Sequence, residues 1–251
     1  MADWNDTRSQ QNFGSVPRTG GELAGGVSYD EGLRSHMLSI YNYMTSGVLL
    51  TGVVALMFSW GGANSMAAQV FLSGGLLAWV IKLSPLAFIL AMSFGLNRMS
   101  QATLQIVFWA FATVMGLSMS TIFLVYTGPS IAVTFFATAG AFAGLSLFGY
   151  TTKKDLSGMG SFLIMGVIGL IIAMIANMFI GSGPLAFVIS GLGVLIFAGL
   201  TAYDTQRLKN EYSYYRGTEF AGKAVIMGAT SLYLDFVNMF MFLLQFLGSR
   251  E

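Results

Sequence analysis

The chain is predicted to be an all-α integral membrane protein, a bundle of seven transmembrane helices. Three observations carry this reading. Hydrophobic residues make up 55% of the chain and charged residues only 9%, whereas a soluble domain carries about 25% charged residues. Between Met37 and Tyr203 the only acid is Asp155, beside Lys153 and Lys154 in a loop. The apolar runs suit helices of about 20 residues and lack the alternation of porin strands.

The elements follow in order. Residues 1–28 are rich in Gly, Ser, Asn, Gln and Arg without periodicity, and read as a disordered cytoplasmic tail ahead of a seven-helix domain over 29–251. A short surface helix over Tyr29–His36 leads into the first span, Met37–Phe58. The second span is Leu76–Asn97 or a segment shifted downstream. The shifted form is preferred, because Pro suits the first turn of a helix and Pro129 and Pro184 stand at the starts of the fourth and sixth spans. With Pro85 opening the second helix, all three prolines share one side, and the helix runs to about Ala102 with Arg98 inside the membrane. The remaining spans are Thr103–Tyr126, Ser130–Tyr150, Ser161–Gly181, Leu185–Gln206 and Lys223–Leu247. Gly140 and Gly144 have the small-xxx-small spacing that packs helices closely within a bundle.

Basic residues set the orientation. Arg8, Arg18, Arg34, Arg98, Lys153, Lys154, Arg207, Lys209, Arg216 and Lys223 fall on one side, leaving Lys82 and Arg250 for the other. The positive-inside rule makes the first group cytoplasmic, with the amino terminus inside and the carboxyl terminus outside. The absence of cysteine excludes disulfides, iron–sulfur clusters and thiol catalysis. The single histidine, His36, precedes the first span and argues against a histidine metal site or a serine–histidine relay. A net charge of +1 argues against nucleic acid as a partner. No cofactor is expected.

Carboxylates at membrane depth are functional candidates, because each costs several kcal/mol unless paired, protonated or wetted. Asp204 ends the sixth span and Asp235 lies within the seventh. On the seventh span Ser231, Asp235, Asn238 and Gln245 recur at spacings that share one helical face. A helix with such a seam must turn it toward other helices or water, so the last helix is expected at the centre and the seam is a candidate pathway. Arg98, at a similar depth under the preferred second span, completes a predicted cluster with Asp204 and Asp235.

The stretch Ile196–Gln206, which includes Ala202–Tyr203–Asp204–Thr205, and the string Ser231–Leu–Tyr–Leu–Asp235–Phe–Val–Asn238 closely resemble the signature of the Bax inhibitor (TMBIM) family. Ser84–Pro–Leu–Ala–Phe88, Asn97–Ser100, Thr121–Tyr126 and Leu147–Lys153 resemble its bacterial branch, so the likeness runs from about Tyr29 to Leu247. The resemblance implies a bundle whose last helix is surrounded by the other six, in a bacterial inner membrane. It also implies calcium leak controlled by pH through paired aspartates, matched here by Asp204 and Asp235, with Arg98 matching the arginine that contacts them. Some relatives carry a glutamate on the second helix; Pro85–Asn97 contains no acid, so a role for that residue in ion passage is not carried over.

Physical reasoning gives the same mechanism. Two carboxylates in one low-dielectric site cannot both ionise cheaply, so the pair can hold a shared proton. Losing it sets up repulsion between the sixth and seventh helices, a bistable gate. Calcium prefers carboxylate and carbonyl oxygens, so Asp204 and Asp235 are also a candidate transient calcium site. The expected partners are the lipid bilayer and the calcium ion. The alternative function is an interaction protein that binds and modulates a membrane-bound protease or another membrane complex without transport. The chain is not expected to be an enzyme. An intramembrane aspartyl protease would need Gly-x-Gly before its second aspartate and a later Pro-Ala-Leu element, and here Leu–Tyr–Leu precedes Asp235 and no proline follows Pro184.

Overall fold

Helix ends fall where local chemistry puts them. The computed structural model describes residues 19–250, with side chains from residue 31 onward. Its helices are α1 (Thr19–Phe58), α2 (Met66–Leu72), α3 (Leu76–Gly95), α4 (Gln101–Met119), α5 (Gly128–Thr151), α6 (Ser157–Ile180), α7 (Gly183–Tyr215) and α8 (Ala221–Leu247). Ser100 and Ser182 cap α4 and α7, each accepting a backbone N–H from three residues on. Pro129 and Pro184 lie in the first turns of α5 and α7, and Gly181 closes α6 at φ 69°. In the loop before α6, hydrogen bonds from Ser157 hold the exposed Asp155 carboxyl below the usual carboxylate range.

Among the described residues seven helices are long and apolar enough to cross a membrane; only the short α2 is not. The third of them gains length from a 3-10 segment, Ser120–Leu124, that continues α4. Of the expected tail, residues 1–18 lie outside the described residues, whereas helix α1 already begins at Thr19 and runs unbroken through the expected surface helix into the span.

The second span corrects the preferred reading. Helix α3 starts at Leu76, and Pro85 is buried in its middle instead of opening it. A mid-helix proline leaves the carbonyl four residues back without its N–H partner. Here that carbonyl belongs to Ile81, and the Ser84 hydroxyl donates to it at 2.9 Å, a substitution membrane helices tolerate. Lys82, on the first half of α3, is exposed and places its ammonium 5.4 Å from the Phe71 ring and 5.7 Å from the Trp79 ring. A lysine stem along apolar surface with its charge at the helix end is compatible with a span.

The centre of the bundle is α8. Inside its most apolar window 67% of residues are buried, against 11% for α6. It packs chiefly on α7, α1, α5 and α4, while α3 leans on α4 and α6 on α7. The expected ring of six helices is therefore an inner group of four with α3 and α6 outside it. Close approach also occurs at a different glycine. Gly140 and Gly144 have open space where a Cβ would stand, but a Cβ on Gly149 would lie 2.2 Å from the Ala202 carbonyl oxygen of α7. Gly149 follows Gly140 by nine residues, about half a turn around the helix, so the paired glycines face outward and Gly149 faces the bundle.

Connectivity gathers Arg34, Arg98, Lys153, Lys154, Arg207, Lys209, Arg216 and Lys223 at one end of the bundle, called here the basic end. Contacts across it agree. The Lys223 ammonium donates to the Leu96 carbonyl at 3.3 Å, and Lys209 donates to the Tyr150 carbonyl at 2.7 Å. At the opposite end the chain terminus is pinned by Thr127 N–H donating to the Ser249 carbonyl at 3.1 Å, and the Arg250 guanidinium lies over the Tyr126 ring.

Candidate functional site

Both candidate aspartates are buried, each 5% exposed, on neighbouring faces of α7 and α8. Helix α7 continues to Tyr215, well past the expected end at Gln206. This extension matters because it puts Arg207 and Glu211 on the face that carries Asp204, three and seven residues on. The Arg207 Nη1 lies 3.3 Å from Asp204 Oδ1 and its Nε lies 3.6 Å from Glu211 Oε1. From α8 the Ser231 hydroxyl donates to Asp204 Oδ2, and Arg207 Nη2 donates to the Ser231 hydroxyl at 3.2 Å. Asp204, Arg207 and Ser231 thus form a closed triangle that joins the two helices.

Asp235 sits one turn beyond Ser231 on α8, within electrostatic range of both Asp204 and Arg207. It differs from Asp204 in one respect. Its Oδ2 is buried without a hydrogen-bond partner among the described residues, where most buried polar atoms have one. A cavity of about 260 Å³ opens beside this cluster between α3, α7 and α8, lined by Arg207, Glu211 and Ser231 among apolar side chains.

Arg98 does not reach the pair. With α3 ending at Gly95, it lies exposed in the following turn, and the guanidinium at Asp204 belongs to Arg207. The signal is in the sequence: Arg207 follows Asp204 at helical i, i+3 spacing, one residue past the expected span end at Gln206. The expected seam is also divided. Ser231 and Asp235 belong to the cluster, Asn238 donates to its own helix at Leu234 O (2.8 Å), and Gln245 is exposed near the far end, accepting from Ser190 at 3.4 Å.

Two polar contacts went unanticipated. Gln206, next to the cluster on α7, accepts the Leu156 N–H at 2.8 Å and donates to the Lys154 carbonyl at 2.8 Å, fastening the loop between α5 and α6. Tyr233, fully buried on α8, shares a 2.6 Å hydrogen bond with Thr51 of α1, and Thr51 donates to the Ala112 carbonyl of α4 at 2.8 Å. A single buried threonine or glutamine has no periodic signature, so neither was visible before its partner was.

No group of three or more His, Cys, Asp or Glu side chains that could hold a metal ion occurs among the described residues. Asp204 is already engaged by Arg207 and Ser231, so the open oxygen at this site is Asp235 Oδ2.

Comparison with known proteins decides the family. The family model described as "Inhibitor of apoptosis-promoting Bax1" matches residues 33–251. The chain belongs to the Bax inhibitor family. Among its relatives is the inner membrane protein YbhL of Escherichia coli, 42% identical over 229 residues that cover 88% of this chain and 94% of that one. An uncharacterized protein of Caulobacter vibrioides is 46% identical over 90% of this chain and 92% of its own length. One of Rickettsia prowazekii is 44% identical over 89% and 93%. This Bax inhibitor family chain is a multi-pass membrane protein whose buried aspartates lie on its last two spans.

Proposed function

We propose that this protein is a proton-controlled calcium leak in a bacterial inner membrane, without enzymatic activity, gated where α7 meets α8. Its basic end faces the cytoplasm, so the amino terminus is inside and the carboxyl terminus outside. The observation that carries the reading is the partnerless Oδ2 of buried Asp235 beside the Asp204–Arg207–Ser231 triangle. A carboxylate anion in such a place lacks the hydrogen bonds that would stabilise it, whereas a protonated acid is tolerated. In the closed state Asp235 therefore carries the proton, and Arg207 and Ser231 hold Asp204.

Loss of the proton from Asp235 leaves three carboxylates, Asp204, Glu211 and Asp235, around one partly exposed guanidinium. The excess negative charge loosens the packing of α8 on α7 and presents hard oxygens to a cation. Calcium suits such ligands and tolerates irregular coordination. The cavity between α3, α7 and α8 gives the ion a route from the basic end to Ser231, and α3 is well placed to move because it leans on α4, with the Lys223–Leu96 contact tying its end to α8.

The reading is tested by calcium flux into proteoliposomes of the purified protein across a range of pH. Flux should rise as pH rises through the titration of the pair. Flux independent of pH, or equal to that of protein-free vesicles, overturns it.

A further inference from the structure

A cavity of about 710 Å³ lies away from the aspartates in a cleft between α1 and α5. Both helices pack on α7 and α8, and the small side chains Ala139 and Ala143 on α5 line the wall. Phe236 of α8 forms the floor, set edge-on against Phe142 and Phe135 with ring centroids 5.6 Å away in each case. The α1 wall runs from Arg34 to Leu49 and the α5 wall from Phe135 to Tyr150. By the rise of a helix each is roughly 22 Å long, longer than one leaflet's half of a hydrocarbon core about 30 Å thick.

Charge is confined to one end of the cleft. Arg34 lines its mouth, is exposed, and forms no ion pair among the described residues. Lys209 of α7 lies beside the end of the α5 wall, its ammonium bonded to the Tyr150 carbonyl and 5.0 Å from the centre of the Tyr150 ring. Glu31, exposed and one turn before Arg34 on α1, is an acid near this end. An apolar slot as deep as a leaflet, open between two membrane spans and with cations at its mouth, has the chemistry of a phospholipid site.

We propose that the α1–α5 cleft holds an acyl chain of an anionic phospholipid from the leaflet at the basic end, with Arg34 pairing its phosphate and Lys209 supporting the headgroup. The site is independent of the calcium reading, because none of its contacts uses Asp204, Asp235 or Arg207.

The absence of cysteine makes a direct test simple. Ala143→Cys, on the cleft wall, and Met165→Cys, 62% exposed on α6, are each labelled with a thiol-reactive fluorophore. The proteins are reconstituted into phosphatidylcholine vesicles containing a minor fraction of phosphatidylglycerol, with bromine quenchers on the chains of one lipid or the other. At the Ala143→Cys probe, brominated phosphatidylglycerol should quench several-fold more than its share of the bilayer. At the Met165→Cys probe each lipid should quench in proportion to its share. Adding Arg34→Gln to Ala143→Cys should return quenching to the bulk proportion. Proportional quenching at both probes overturns the proposal, as does a phosphatidylglycerol preference that survives Arg34→Gln combined with Lys209→Gln. Absence of quenching by either lipid overturns it too, since protein then covers the cleft; energy transfer between labelled copies would identify a second copy as the cover.

Discussion

Tyr233 and Asp235 stand two residues apart on the same central helix, both buried, and they differ in how completely they are satisfied. The Tyr233 hydroxyl meets Thr51, which in turn bonds the Ala112 carbonyl, so α1, α4 and α8 are fastened at one point. Asp235 keeps an oxygen with no donor among the described residues. A saturated buried polar group specifies one arrangement. An unsaturated one persists where its protonation or its partner changes during function. Burial alone therefore does not separate these two residues of α8, whereas hydrogen-bond completeness does.

That contrast can be broken most forcefully at Tyr233. Tyr233→Ala removes a fully buried ring and its hydroxyl partner, and should destabilise the bundle by about 3–5 kcal/mol, seen as a lower midpoint of thermal unfolding in detergent. Asp235→Asn should change stability by less than about 1 kcal/mol, because no hydrogen bond to Oδ2 is lost. Equal destabilisation by the two would erase the distinction between staple and switch.

Gln206 extends the comparison to α7, where it is the saturated neighbour of Asp204. Gln206→Ala strips partners from the Leu156 N–H and the Lys154 carbonyl, and should cost about 1–3 kcal/mol while leaving the pH midpoint of calcium flux in place. A moved midpoint with unchanged stability would mean that the loop between α5 and α6 belongs to the switch.

The two arginines give a smaller but sharper test. Arg207→Gln withdraws the positive charge that offsets ionisation at the pair, so the pH of half-activation should move upward by about one unit, a modest shift because Arg207 is 37% exposed. Arg98→Gln, in an exposed turn, should leave the midpoint where it was. The reverse outcome would restore Arg98 as the partner of the aspartates.

The smallest effect is expected at Asp155. Its carboxyl is held below the usual carboxylate range by Ser157, so whatever it adds to stability is present above the ordinary carboxylate pKa and fades as pH falls through the lowered one. Asp155→Ala should be silent in flux near neutral pH and detectable only as a slightly altered acid-side unfolding profile.

Much of this was legible in the sequence for a physical reason: bilayer thickness forces long apolar helices, and carboxylates at depth are rare enough to stand out. Asp204 and Asp235 stand out on those two facts, and the central place of α8 follows from the seam of Ser231, Asp235, Asn238 and Gln245. Pro85 reads in sequence as a helix start and so shifts the second span; the compensating hydroxyl of Ser84 sits next to it but matters only because the helix continues through both. Arg98 comes to the pair through that same reading of Pro85, while Arg207 lies one residue past the expected span end at Gln206. Gly149 escaped notice because its value lies in facing the Ala202 carbonyl, a property of helix rotation and not of spacing. The Thr51–Tyr233 contact joins residues 182 positions apart, and no local pattern reports such a pairing.

The central claim is that Asp204 and Asp235 act as one proton-controlled unit. Calcium flux into proteoliposomes, measured across pH for the unaltered protein, Asp204→Asn, Asp235→Asn and the double variant, tests it most directly. Each single variant should flatten the pH dependence, with Asp235→Asn also lowering maximal flux because it removes the open hard oxygen. The double variant should match Asp235→Asn alone, since groups that share a proton are not additive. A full pH response retained in the double variant would contradict the account and leave both aspartates as fasteners of α7 to α8.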